Sequence, residues 1–312
     1  MSKYHVCFNY DRNDVNELAA QKAGISNYMV PTLLEKAFRK HPEVTVYTRA
    51  EYMENNPEKV DIVINSMPMN GIPFLQNNQG LTAWWDLEEC SEPRREYYSP
   101  SDIIFHPNYN PYRHQLYPKD KASYLPLAND FDVSRYFPEE DSLYDVAFLG
   151  REELDIYERR RRILDLLDRF WKVKRGRAPR GELSSRIISQ GKLTIQISGW
   201  DNLEERFFQF GAIRPMLVDY LEELDLVAKK DVEYISFSDD KECLDKVDYY
   251  LDHPEEAEKI FQAQLKNIKE NHTYENRVEE ILRILDGGEL NHDGWYLWDR
   301  AAAEGYPTEY PE

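Results

Sequence analysis

Residues 144–150 read Tyr144-Asp145-Val146-Ala147-Phe148-Leu149-Gly150. The run is β-rich, mostly apolar and stops on a glycine, as a buried parallel strand does when it feeds a turn. A helical stretch follows, Tyr157–Phe170, with Ile163, Leu164, Leu166, Leu167 and Phe170 on one side. Further strands are expected at Trp171–Lys174, Leu193–Ile197, Met216–Val218 and Val232–Phe237. Helices are expected at Leu203–Ala212, Glu242–Leu251, Pro254–Asn271 and Tyr274–Leu285. Strands alternating with helices indicate a doubly wound parallel sheet.

Upstream of Tyr144 the same alternation has already run once. Val6–Tyr10, Val44–Thr48, Val60–Asn65, Thr82–Trp85, Asp102–Phe105 and Ser123–Leu127 read as strands, and Tyr28–Lys40 carries apolar residues at helical spacing. Phe131–Ser142, with Pro138 and several acidic residues, reads as a connector. The expected architecture is α/β: an N-terminal Rossmann-like domain over 1–138 and a second over 139–285, facing each other across a cleft. Ligands of such sheets bind outside the carboxyl ends of the strands. The segment 286–312 holds Trp295, Tyr296, Trp298, Tyr306 and Tyr310 and is expected to form a helical tail that packs back on the body.

A chain of 312 residues is long enough for two domains. No stretch approaches the roughly 20 apolar residues of a membrane helix. The opening run Tyr4–Phe8 is strand-like and lacks the basic region and long apolar core of a signal peptide. Cys7, Cys90 and Cys243 are far apart and odd in number, so neither a disulfide framework nor a zinc site is expected. The cytoplasm is the expected compartment. The net charge of −19 opposes general polyanion binding. Residues 151–192, however, carry 13 Lys/Arg against 7 Asp/Glu, a local +6 where a diphosphate could sit. Arg159–Arg162 read equally well as one solvated helix face.

Several motifs, in order, carry a family resemblance. They are Tyr124-Leu125-Pro126-Leu127-Ala128-Asn129-Asp130, the strand Tyr144–Gly150, the helix Leu203–Ala212 with Arg206 and Phe207, His253-Pro254-Glu255-Glu256-Ala257, and His272-Thr273-Tyr274-Glu275-Asn276-Arg277. Over roughly residues 124–285 the chain resembles the CgeB-like (spore-protein type) glycosyltransferases of GT-B fold. The resemblance implies two facing Rossmann-like domains, with a nucleotide-diphosphate sugar, for example a UDP-sugar, bound as co-substrate by the second. It implies an acceptor entering from the first, and no metal in the chemistry. The acceptor class stays open: a polysaccharide, a protein, a metabolite or a hydroxymethylated DNA base. The oligomeric state is not addressed by the sequence.

On that resemblance the donor side draws on Gly150 and Arg151 at the end of the first strand, Lys174 and Arg175 after the next, Lys192 before Leu193, and Arg206 at the start of the motif helix. Gln209 stands where such enzymes commonly carry a ribose-binding glutamate, and can still bind a hydroxyl. Asp201 lies eight residues before it, similar to the spacing of the paired glutamates of retaining families, but both members are changed. Arg214 replaces the usual glycine after the helix. On the acceptor side, Asp86 beside Trp84 and Trp85 is a candidate base next to sugar-stacking rings, or a helix cap beside core tryptophans. Asp11 and Arg12 follow the first strand, and His106 and His114 are further base candidates. Asp86 and Asp201 are the catalytic candidates. Two other readings fit the same residues: a degenerate GT-B protein that binds nucleotide sugar or nucleic acid, and a sugar-nucleotide epimerase.

Overall fold

A computed structural model describes residues 2–10, 30–66, 74–87, 99–113, 116–138, 141–179, 182–199 and 202–307. The chain forms two compact units: Met1–Pro126 together with Tyr274–Glu312, and Leu127–Thr273.

The sheet of unit 1 contains β1 (Tyr4–Phe8), β2 (Val44–Thr48), β3 (Ile62–Ser66), β4 (Leu81–Trp85), β5 (Ile103–His106) and β6 (Ala122–Tyr124), in the order β2-β1-β3-β4-β5-β6. Every pairing is parallel. All five residues of β3 are buried, as a central parallel strand covered on both faces requires. Helix α1 (Val30–Lys40) lays Val30, Leu33, Leu34, Ala37 and Phe38 inward. Helix α2 (Arg49–Asn55) starts on a capping box: the Thr48 side chain accepts from the Glu51 backbone while Glu51 reaches back to Thr48.

Unit 2 contains β7 (Tyr144–Ala147), β8 (Val173–Lys174), β9 (Gly191–Gln196), β10 (Met216–Asp219) and β11 (Ile235–Phe237), in the order β11-β10-β9-β7-β8, again all parallel. Its helices are α3 (Glu158–Leu167), α4 (Glu182–Ser189), α5 (Arg206–Gly211), α6 (Asp240–Asp252) and α7 (Pro254–Asn271). Asp239 caps α6 by accepting from the Glu242 backbone, and α7 opens on Pro254, whose missing N–H costs nothing in a first turn. Val146, Phe148, Leu193, Ile195, Leu217 and Phe237 from the sheet meet Ile163, Leu164, Leu167, Cys243 and Val247 from the helices in one core. Burial pushes the thiols of Cys7 and Cys243 up to about 12 and leaves them protonated.

Counted from its own first strand, each sheet has the order 2-1-3-4-5, with a sixth strand added in unit 1. The winding reverses between β1 and β3, and again between β7 and β9. The carboxyl ends of those strands are where such sheets take ligands.

Helix α8 (Tyr274–Leu285) groups with unit 1, whereas the sequence reading placed it at the end of a second domain over 139–285. It packs on α1. Lys40 pairs with Glu275 at 3.2 Å, and the buried Arg277 donates from Nε to the Pro126 carbonyl at 2.6 Å. The last helix, α9 (Trp295–Ala303), also belongs to unit 1. Its Trp298 Nε1 donates to the Asn110 carbonyl at 2.9 Å. Just before it, Asn291 accepts from the backbone of Tyr124 and donates to the Ser123 hydroxyl, covering the outer edge of β6. Among the described residues no helix is long and apolar enough to cross a membrane.

Candidate functional site

In unit 2 the strand end at the reversal of winding is built around Gly150. Its backbone N–H donates to the Gly176 carbonyl at 2.8 Å, and a Cβ at this position would overlap the Arg206 guanidinium and the Phe148 ring. Arg206, at the start of α5, lies against that glycine. Its Nη1 donates to the Leu149 carbonyl at 3.1 Å, its guanidinium lies 5.7 Å from the Phe148 centroid, and its Nη2 is ion-paired with Glu204. Glu204 also receives Nη2 of Arg160 at 2.8 Å.

Arg160 is 1 % exposed. Its Nε and Nη2 both donate to the Ile197 carbonyl, at 2.9 and 2.6 Å, and its Nη1 donates to the Arg151 carbonyl at 2.8 Å. One buried guanidinium thus ties the chain leaving β7 to the chain leaving β9. Burial lowers its pKa to about 10, so it remains a cation at neutral pH. The Tyr157 ring lies 4.2 Å from it and over Gly199, which has no side chain to displace the ring. Among the described residues the half-buried Arg151 side chain makes no hydrogen bond or ion pair. Two guanidinium groups thus share one carboxylate at the carboxyl ends of β7 and β9, and Arg151 follows Gly150 in the chain.

The other donor-side candidates are placed differently. Lys192 is the second residue of β9, at the amino end of the strand, and its ammonium pairs with Asp145 at 2.7 Å. Arg214 precedes β10 and donates to the Ser189 carbonyl, with its guanidinium 4.6 Å from the Tyr136 ring. Both therefore serve the end of the sheet opposite Gly150. Lys174 ends β8 but leans toward the Tyr144 ring, at 5.9 Å. Arg175 is held by Glu152, Asp165 and Asp168. Within the basic island the four consecutive arginines are held: Arg159 pairs with Asp219, Arg160 with Glu204, Arg162 with Asp240, and Arg161 donates to the carbonyls of Glu152 and Leu154. These four do not form one solvated face. Gln209 is half-buried, and its amide has no partner among the described residues. Asp201 lies outside the described residues.

In unit 1, Asp11, Arg12 and His114 lie outside the described residues. Trp84 and Trp85 are strand residues in the sheet interior, 6 and 0 % exposed, so Trp85 offers no face to a sugar. A central parallel strand buries both of its faces, which is why adjacent residues are both enclosed. The buried Asp86 carboxylate is ion-paired with Arg113 and also accepts from the Tyr117 hydroxyl. Held by a cation and a phenol, it anchors the chain after β5. His106 is enclosed by Tyr109, Tyr117, Tyr124, Trp295 and Trp298, the last with its centroid at 4.5 Å. Its Nδ1 donates to the Asn108 carbonyl at 3.1 Å, and its Nε2 is buried without a partner. Burial lowers its pKa to about 3. It is a neutral core residue under the tail helix, not an acceptor ligand.

Arg160 and Glu204 are not among the site residues expected from the sequence. Arg160 was legible: with Ile163, Leu164 and Leu167 it completes the i, i+3, i+4, i+7 spacing of the buried face of α3. An arginine on that stripe must find partners inside. Nothing in the sequence marked Glu204 as the partner. Among the described residues no group of three His, Cys, Asp or Glu side chains is placed to hold a metal ion.

Comparison with known proteins gives this geometry a context. Residues 146–283 match the family model described as Glycosyl transferase-like. No curated protein sequence matches the chain. Among solved structures, sucrose-phosphate synthase from Thermosynechococcus elongatus aligns with a TM-score of 0.60 at 9% identity, covering 91% of this chain and 99% of that one. An alpha-glucosyltransferase in complex with UDP and a 13-mer DNA containing an HMU base aligns with a TM-score of 0.59 at 11% identity, covering 90% and 99%. HepE from Anabaena, in complex with UDP and glucose, aligns with a TM-score of 0.53 at 10% identity, covering 91% and 100%. The two Rossmann-like, parallel-sheet units are those of a GT-B fold. Within it, residues 146–283 are glycosyltransferase-like in sequence as well as in fold.

Proposed function

We propose that the protein is a glycosyltransferase of the CgeB-like type that moves a sugar from a nucleotide-diphosphate sugar, such as a UDP-sugar, to a hydroxyl acceptor. The observation that carries this reading is the Arg206 guanidinium seated against Gly150, where the winding of a glycosyltransferase-like unit reverses, with Arg151 next in the chain. Transfer breaks the bond between the anomeric carbon and the diphosphate, and the departing oxygen takes the electron pair. Cations already in place where that charge develops lower the barrier. Arg206, held against Gly150 from two sides, is such a cation. Arg151, without a partner among the described residues, can turn onto the same diphosphate. Gln209 would bind a ribose hydroxyl, and Asp201, by its place before the Glu204–Arg206 stretch, is the proposed catalytic carboxylate.

The acceptor is assigned to unit 1 and its class to hydroxyl compounds in general. Modified DNA is the less favoured acceptor, because the net charge is −19 and Arg159, Arg160, Arg161 and Arg162 are held by neighbouring carboxylates and carbonyls. A thermal-shift screen of UDP, GDP, ADP and dTDP, each free and as the glucose conjugate, tests the reading. A ligand that binds only the folded state at about 100 times its Kd stabilises it by about 2.7 kcal/mol, so the true donor stands out. Arg151→Gln should reduce that shift. No shift with any of these nucleotides would overturn the proposal.

A further inference from the structure

We infer that Glu204 is a positioning residue for the donor diphosphate, acting through Arg206; this rests on the donor reading above. The observation is a carboxylate, itself buried, shared by two guanidinium groups of opposite character. Arg160 on one side is wholly enclosed and fixed to the Ile197 and Arg151 carbonyls, so it cannot move. Arg206 on the other side keeps 20 % of its side chain exposed. Glu204 therefore links an immobile cation to a reachable one.

Left to itself, an arginine side chain samples many rotamers, and binding an anion must stop that motion. Here the motion is already stopped. Glu204 is ion-paired with one end of the guanidinium, the Leu149 carbonyl accepts from the other nitrogen, the Phe148 ring lies beside it, and the missing side chain of Gly150 gives the group its place. Pre-organisation of this kind favours the bound state by lowering the cost of ordering. Glu204 also sets the local charge. Without it, the two guanidinium groups would lose the carboxylate they share, and Arg206 would lose its tie to the buried Arg160. Glu204 itself touches no substrate in this scheme.

A double-mutant cycle on the whole protein tests the relay, read as the Kd of the nucleotide that binds best among UDP, GDP, ADP and dTDP. Arg206→Gln should weaken binding by about tenfold or more, the size of a lost hydrogen bond to a charged group. Glu204→Gln should weaken it by a similar factor. The double variant should then be no weaker than Arg206→Gln alone, because Glu204 has no effect once its client is gone. A purely structural role for Glu204 would make the two losses multiply, and that result overturns the inference. Glu204→Asp, which keeps the charge, should recover part of the affinity. If Glu204→Gln does not fold, Gly150→Ala serves in its place: it displaces the Arg206 guanidinium without removing a charge and should reproduce the loss. Unchanged affinity in a folded Gly150→Ala also overturns the inference. A wild-type protein that binds none of the four nucleotides defeats the donor reading itself, and the relay with it. A wild type that binds while the losses multiply defeats the relay alone.

Discussion

Protonating His106 requires opening the aromatic enclosure around it, because burial holds its pKa at about 3. In the unfolded chain the same ring titrates near its ordinary value of about 6.5. Between those values the unfolded state binds more protons, so stability falls as the pH is lowered through that window. From neutral pH to pH 5 this residue alone should remove about 2 kcal/mol. Urea unfolding of the wild type and of His106→Gln at both pH values measures it: the variant should lose correspondingly less on acidification. Equal losses would show that His106 is not held neutral. At this scale the sequence was only partly legible. The buried stripe of α3 announced Arg160, whereas Lys192 was expected at the donor from its place beside a strand and Arg214 from its place after the motif helix. Lys192 opens β9 and Arg214 precedes β10, and a cation at the start of a strand serves the amino end of the sheet. Asp86 had the residue type of a general base, but the cation that occupies it, Arg113, lies 27 positions away and carries no mark of the pairing.

Among the elements, α9 has the most to hold. Trp298 is fully buried, bonds the Asn110 carbonyl, and stacks among His106, Tyr109, Tyr117 and Trp295. Trp298→Ala should cost about 3–5 kcal/mol of unfolding free energy, the range for large aromatic deletions in a core. Denaturant unfolding checks this, and a loss under 1 kcal/mol would mean that the tail is only loosely attached. Strands and long helices were legible because their periodicities are local: α7 and α8 fall where Pro254 and the apolar spacing put them. The short helices α2 and α4 were not seen. One buries no residue at all, and the other buries three serines beside a single isoleucine, so neither shows an apolar stripe.

For the whole molecule, charge bears on what it can hold. A net −19, with Arg159, Arg160 and Arg162 each paired to a carboxylate, should leave little attraction for a phosphate backbone. Fluorescence anisotropy with an unmodified DNA duplex at about 0.15 M salt should show no binding in the micromolar range typical of non-specific DNA binders. A Kd in that range that rises steeply with salt would reinstate a nucleic-acid acceptor. The number of units was legible, from two rounds of strand and helix. Their membership was not. Domain boundaries drawn along a sequence assume that each unit is one continuous piece, and α8 and α9 break that assumption.

That discontinuity orders events at the ribosome. Unit 2 is one uninterrupted stretch, so it has everything it needs once Thr273 has left the exit tunnel. Unit 1 is still without α8 and α9 at that moment, and β6 still waits for Asn291 to cover its edge. Once folded, unit 2 holds its own two ends together, the Asn129 N–H on the His272 carbonyl at 2.9 Å. Pro126 and Tyr274 thereby emerge as near neighbours, and closing unit 1 no longer carries the entropy of a long open loop. The middle of the chain is thus translated as its own closing staple for the pieces on either side.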